Sequence, residues 1–190
     1  MNNYFVILAA GKGKRFNKNK PKQFHQYKNR EVIEHSIIKS VESKLFKKIV
    51  VVTNNFNQFK GKKYLKFIKI IKGGKERSDS SLKALKYLKR YNPLNVFIHD
   101  AARPNFSIKL LKKISKNLKK NKAVVPVIKS KDSIKYKLKS QIFNLDKKNS
   151  ILTQTPQAFR FKDLFNLALK EEKKISDEAT LFINKDYKIK

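Results

Sequence analysis

Buried-strand patterns and amphipathic helical patterns alternate along almost the whole of this chain, and that alternation most limits the folds open to it. The first unit is Tyr4–Ala10, a fully apolar run that breaks off into a glycine-bearing basic loop. A helical stripe follows over Glu31–Ser43, with Val32, Ile33, Ile37 and Val41 on one face. Lys48–Thr53 is a β-branched strand, and Phe67–Ile71 is another, running up to Gly73-Gly74. Ser80–Tyr91 reads as a helix presenting Leu82, Leu85 and Leu88. Asn95–His99 is a strand ending at Asp100, and Ser107 caps a helix that continues to about Lys120. Ala123–Ile128 is the next strand; Phe161–Lys170 and Asp177–Asn184 are closing helices. This order predicts an α/β fold with a mostly parallel sheet, whose binding loops lie at the C-terminal ends of its strands. Between Asp132 and Asp146 the pattern becomes a short hairpin-like alternation, poor in core residues. No repeat or linker divides the 190 residues, so one domain is expected.

Several classes drop out. The chain has no cysteine, which excludes disulfide frameworks and cysteine-ligated zinc or iron–sulfur sites. Tyr4–Ala10 is far shorter than the ~20 residues of a membrane-spanning helix, and it lacks the flanks of a signal peptide. A cytoplasmic protein is therefore expected. The formal net charge of +33 comes from 47 basic and 14 acidic residues, of which only six are arginine. A nucleic-acid binder would concentrate arginine beside stacking aromatics, whereas lysine here is spread over every segment. Codon bias explains that pattern better, and polyanionic ligands remain compatible with it.

Three loops carry candidate chemistry. The first, Leu8–Phe16 (LAAGKGKRF), matches neither a dinucleotide-binding fingerprint nor a P-loop. Gly11 and Gly13 nonetheless allow the backbone to curl round phosphates, with Lys12, Lys14 and Arg15 adding charge; the plain alternative is a basic surface turn. The second loop runs GGKERSDSSLKAL from Gly73 and places two glycines ahead of a helix. Its amides and the Ser80 hydroxyl could read a base or an anion, or Ser78 or Asp79 could be an ordinary helix cap. The third, Val96–Pro104 (VFIHDAARP), ends a strand on Asp100, a candidate magnesium ligand in a chain with few carboxylates. Ala101 and Ala102 leave room for a ligand, and Arg103 offers a planar phosphate clamp. His99 reads as structural.

Taken in order, LAAGKGKRF, PKQF (Pro21–Phe24), GGKERSDS, HDAARP, QTPQAF (Gln154–Phe159) and DEATL (Asp177–Leu181) resemble the 2-C-methyl-D-erythritol 4-phosphate cytidylyltransferases of the non-mevalonate route to isoprenoids. The resemblance covers nearly the whole chain. It implies a three-layer α/β/α, Rossmann-like nucleotidyltransferase fold over residues 1–190, with 132–147 as a protruding β-arm. It also implies a Mg²⁺-dependent enzyme that transfers a cytidylyl group from CTP to methylerythritol phosphate. Arg15 and Lys22 would be the catalytic residues, stabilising charge on the reacting phosphorus and the leaving diphosphate. Ala9, Ala10, Gly11, Gly13, Gly74, Ser80, Asp100 and Ala101 would hold the nucleotide, with Asp100 also meeting the metal. Arg103, Ser133, Lys147 and Thr155 would hold the acceptor, part of the site coming from the arm of a second copy in a homodimer. No partner membrane or nucleic acid is implied.

Ribitol-5-phosphate cytidylyltransferases are the nearest competing family; Ala9-Ala10-Gly11, Ala102 and Glu178-Ala179 favour methylerythritol phosphate. The competitor from another class is a non-catalytic basic nucleotide- or RNA-binding relative. Two positions and the C-terminal segment depart from the family pattern. Lys147 stands where an arginine is usual, which keeps charge and loses a bidentate fork. Ser133 stands where threonine is common. The family continues past its DEA segment to a further strand and an asparagine–lysine motif that Tyr187–Lys190 echoes too early, so a fragment, a chain that has lost its C-terminal part, or the first part of a bifunctional enzyme is expected.

Overall fold

A computed structural model describes residues 2–11 and 20–190. In chain order the elements are β1 (Asn3–Leu8), β2 (Gln26–Tyr27), β3 (Arg30–Glu31), α1 (Val32–Glu42), β4 (Lys48–Thr53), β5 (Ile68–Lys72), α2 (Arg77–Lys89), β6 (Asn95–Asp100) and α3 (Ile108–Asn117). They are followed by β7 (Ala123–Val124), β8 (Val127–Lys129), β9 (Ile134–Leu138), β10 (Gln141–Leu145), β11 (Ile151–Thr153), β12 (Gln157–Arg160), α4 (Phe161–Lys170) and α5 (Ala179–Ile183).

The main sheet has the order β5-β4-β1-β6-β12-β7. Its first four strands are parallel, and β12 runs antiparallel to both β6 and β7. Side chains of a strand alternate between faces, and β1 shows what that does. Tyr4 and Val6 join the core under α2, α4 and α5, which includes Leu85, Leu88, Leu164 and Phe182. Phe5 and Ile7 join the opposite core, with Ile33 and Ile37 of α1 and Leu111 and Ile114 of α3. A strand buried on both faces needs no polar alternation, hence the unbroken apolar run. The result is the expected three-layer α/β/α arrangement around a mostly parallel sheet.

Local signals set the helix ends. Glu31 caps α1 in a reciprocal box with Glu34, whose carboxylate accepts from the Glu31 amide at 2.8 Å. Ser107 caps α3 by accepting from the Leu110 amide, as its position suggests. The second loop differs from expectation. Helix α2 starts at Arg77, capped by Glu76 in a box with Asp79, so neither Ser78 nor Asp79 is the cap. The last helix is also shorter than Asp177–Asn184, because the Asp177 carboxylate accepts from the Thr180 amide and hydroxyl instead of continuing the helix backwards.

Pro126 divides the expected strand over Ala123–Ile128 into β7 and β8. Strand β8 leaves the sheet to pair with β11, forming the base of a projecting arm whose tip is the β9–β10 hairpin. Tyr136, Leu138, Ile142, Phe143 and Leu145 on that arm are all exposed. At the far edge of the sheet the Lys190 amide donates to Ala123 O at 3.2 Å, and the Val125 amide to Lys190 O at 2.9 Å.

Candidate active site

The chain leaves β1 through α1 to reach β4 on one side, then crosses through α2 to β6 on the other. The crevice beyond the C-terminal ends of β1 and β6 is thus the point where strand order reverses, and open α/β sheets hold ligands there. The described parts of all three candidate loops converge on it. The Ala101 amide donates to Leu8 O at 3.0 Å, and the Ala9 amide donates to Val52 O at 2.8 Å, which registers the first and third loops against the sheet.

Gln23, buried in the short turn Lys22–Phe24, donates from Nε2 to Ala9 O at 2.8 Å and Gly11 O at 2.9 Å. That clamp places exposed Lys22 beside the first loop. Gly13 and Arg15 lie outside the described residues. In the second loop the Gly73 amide faces Thr53 O at 3.2 Å and Asn54 Oδ1 at 3.1 Å. A methyl group on Gly73 would stand 2.3 Å from the Ala10 Cβ, so only glycine permits this approach. Ser80 accepts from the Gly74 amide at 3.0 Å and donates to Glu76 O at 3.1 Å, which folds the loop onto the start of α2.

The electrostatic centre is a chain of five side chains. Arg77 donates through Nη1 and Nη2 to both oxygens of Glu178, at 2.9 and 3.0 Å, and through Nε to Asp100 Oδ1 at 3.0 Å. Arg103 Nε lies 3.4 Å from Asp100 Oδ2, and its Nη1 donates to Gln154 Oε1 at 2.8 Å. Glu178 is only 1% exposed, so its charge depends on the Arg77 fork. Burial by itself lowers the Arg77 pKa, but the Glu178 and Asp100 charges outweigh it and leave it raised. Arg77 and Glu178 lie in the GGKERSDS and DEATL segments, but their pairing is not legible there, since they are brought together across the fold; arginine's rarity in this chain was the available signal.

A buried polar line runs behind Asp100. Thr155 Oγ1 accepts from the Asp100 amide at 3.4 Å and lies 2.9 Å from His99 Nδ1. His99 Nε2 lies 3.0 Å from Ser36 Oγ on α1. Burial, with the Arg103 and Lys39 charges, lowers the His99 pKa to about 3, although a backbone hydrogen bond with Arg103 opposes the shift; the ring is neutral at pH 7. Thr155 therefore sits with Asp100, Ala101 and Arg103. Among the described residues no hydrogen bond or ion pair joins Ser133 or Lys147 to that group; Ser133 is exposed on the arm, and Lys147 Nζ donates to Lys131 O at the arm's base.

Asp177 ties the arm to the body. Its Oδ2 accepts from Thr153 Oγ1 on β11 and from Gln157 Nε2, each at 3.1 Å. Among the described residues there is no cluster of three or more His, Cys, Asp or Glu able to hold a metal by themselves. No described helix is long and apolar enough to cross a membrane.

A doubly wound sheet with a glycine-lined crevice at its switch point, walled by arginine–carboxylate pairs, is the arrangement in which open α/β proteins hold nucleotides. Comparison with known proteins narrows that class. The family model for 2-C-methyl-D-erythritol 4-phosphate cytidylyltransferase matches residues 4–186, and the chain belongs to that family. The bifunctional enzyme IspD/IspF of Pelagibacter ubique is 46% identical over 191 residues, spanning 100% of this chain and 52% of that protein. Among solved structures, bifunctional IspDF from Campylobacter jejuni aligns with a TM-score of 0.84 at 28% identity, covering 100% of this chain and 48% of its own. The 4-diphosphocytidyl-2C-methyl-D-erythritol synthase of Anaerococcus prevotii also gives 0.84 at 28% identity, covering 99% and 86%. The chain thus spans about half the length of the two bifunctional relatives. These matches identify the flanked mostly parallel sheet as the Rossmann-like nucleotidyltransferase fold.

Proposed function

We propose that this chain transfers a cytidylyl group from CTP to 2-C-methyl-D-erythritol 4-phosphate. An oxygen of the acceptor phosphate attacks the α-phosphorus of CTP, the bond from that phosphorus to the β-phosphate bridge breaks, and diphosphate leaves. Such chemistry requires alignment and charge neutralisation, not a covalent nucleophile. The observation that carries the reading is the Asp100-centred network at the β1–β6 crevice in a chain of this family.

In this reading the Ala9–Gly11 loop and Gly73-Gly74 frame the cytidine, and the tight Ala10–Gly73 approach leaves a slot for a single-ring base. Arg15 and Lys22 neutralise the triphosphate and the charge that builds on the reacting phosphorus. Arg103 and Thr155 face the acceptor phosphate. Asp100 fits a role as magnesium's protein ligand: each carboxylate oxygen is engaged by one guanidinium and keeps a second lone pair, and Mg²⁺ is commonly held by one or two carboxylates plus substrate phosphates. Bound there, the ion would offset charge on the triphosphate. Ser133 and Lys147 would serve the site of a second copy, the exposed apolar arm being covered in a homodimer.

Diphosphate release from CTP with methylerythritol phosphate, measured beside ribitol 5-phosphate, tests the reaction. Release with ribitol 5-phosphate alone, or salt-sensitive RNA binding without release, refutes it. Sedimentation tests the assembly: Ile142→Asp converts dimer to monomer, and a wild-type monomer refutes the arm's role.

A further inference from the structure

Ser36 is fully buried in α1, and among the described residues its hydroxyl has one hydrogen-bond partner, Nε2 of His99. A neutral imidazole has one N–H donor and one bare acceptor nitrogen. Were the proton on Nε2, Ser36 would accept from it and its own O–H would be a buried donor with nowhere to go. Leaving a buried donor unmade is the costly arrangement. With the proton on Nδ1, Ser36 donates to Nε2 and its proton is used; the spare hydroxyl proton is then that of Thr155, which at 8% exposure beside Asp100 is open to solvent or a ligand as the 0% exposed Ser36 is not.

That choice fixes the other end of the line. Nδ1–H then donates to Thr155 Oγ1 at 2.9 Å, with the Arg103 backbone as a further partner of the ring, and the Asp100 amide donates to the same threonine oxygen at 3.4 Å. Both lone pairs of the hydroxyl are occupied, so its remaining capacity is its proton. Thr155 can meet a ligand only as a donor, which suits an anionic oxygen and rejects a donor group.

We propose that His99 is a positioning residue that sets the polarity of the Thr155 hydroxyl, making it a dedicated donor to the acceptor's phosphate. This rests on the transferase reading above, and two measurements separate the two. Long-range ¹H–¹⁵N correlation of the three imidazoles, with His99→Asn giving the assignment, reports which ring nitrogen is protonated and needs no turnover. A His99 spectrum of the Nδ1–H form is expected; the Nε2–H form overturns the proposal. Kinetics supply the second readout. His99→Gln, which reaches Ser36 but not Thr155, and Thr155→Val should each raise KM for the acceptor about ten-fold or more. The Kd for CTP alone should hold, and the double variant should be no worse than Thr155→Val. His99→Asn, with an amide where Nδ1 stood, should recover most of the loss. Weaker CTP binding in parallel with the acceptor effect, or additive losses in the double variant, would mean a merely structural histidine. A wild-type chain that does not turn over methylerythritol phosphate refutes the transferase reading, while the ring spectrum still decides the polarity.

Discussion

Replacing Arg77 by methionine keeps an unbranched apolar stem and removes the fork that holds Glu178. Glu178 is 1% exposed, and both its oxygens are paired with Arg77 at 2.9 and 3.0 Å. Removing one partner of a buried ion pair costs about 3–5 kcal/mol, because the other charge stays buried and unpaired. The Arg77–Asp100 contact adds less, since those side chains are 26% and 27% exposed and solvent partly screens them. The lower end is therefore expected, about 3 kcal/mol, or a fall in Tm of roughly 6–12 °C for a chain of this size. Arg77→Lys should lose less, keeping the charge without the fork. The decisive comparison is Arg77→Met with Glu178→Gln, which removes both charges and should regain much of the loss. Melting curves of the three variants, with exposed Lys119→Ala as control, supply the measurement. The reasoning fails if Arg77→Met melts like the Lys119 control, or if the double variant loses the sum of the single losses.

Three further outcomes follow from the site. Lys22→Ala should reduce turnover by about 10²-fold or more while CTP affinity changes less; near-native turnover would remove Lys22 from the catalytic set. Gly73→Ala, whose new methyl would stand 2.3 Å from the Ala10 Cβ, should weaken CTP binding by about 1–3 kcal/mol, measured by calorimetry, since both loops are pinned by backbone hydrogen bonds. Asp177 is opposed by burial, which raises its pKa, but hydrogen bonds from Gln157, Thr180 and Thr153 prevail and leave it below 3.8. The stability it contributes is thus complete above that value and lost as pH falls below it. Asp177→Asn should cost about 1–2 kcal/mol at pH 7, and its deficit against wild type should shrink at pH 3; a deficit constant across that range contradicts the assignment.

The architecture was legible wherever burial and local periodicity coincide. Tyr4–Ala10 and Lys48–Thr53 announce doubly covered strands because no residue in them need face water. Strand β12 was not legible. Gln157–Arg160 is four residues long, follows Pro156 directly, and becomes a central strand only because β6 and β7, both distant in sequence, accept it edge to edge. The arm's base was hidden for the same reason, since β8 and β11 pair across the whole hairpin.

The site divides along a similar line. Its loops were visible because glycine, a strand-terminal acid and small residues are local signals, whereas the pairings behind them are not. Arg77 and Glu178 are 101 residues apart, and His99 reaches 63 residues back to Ser36 and 56 forward to Thr155. One signal did bridge those distances. In a chain whose bulk charge is carried by lysine, four of the six arginines stand where fixed directions are used as well as charge, which a guanidinium offers and an ammonium does not. Arg77 forks onto Glu178, Arg103 spans Asp100 and Gln154, and Arg160 donates to Lys119 O at 2.8 Å while approaching Asn95 Oδ1 at 3.4 Å. Arg90 stacks with its Cζ 4.1 Å from the centre of the Tyr87 ring. Arg15, outside the described residues, joins that set by its residue type alone. The same physical reasoning predicts that Arg15→Lys, a change neutral in charge, impairs turnover well beyond a lysine-to-arginine change on the exposed face of α3.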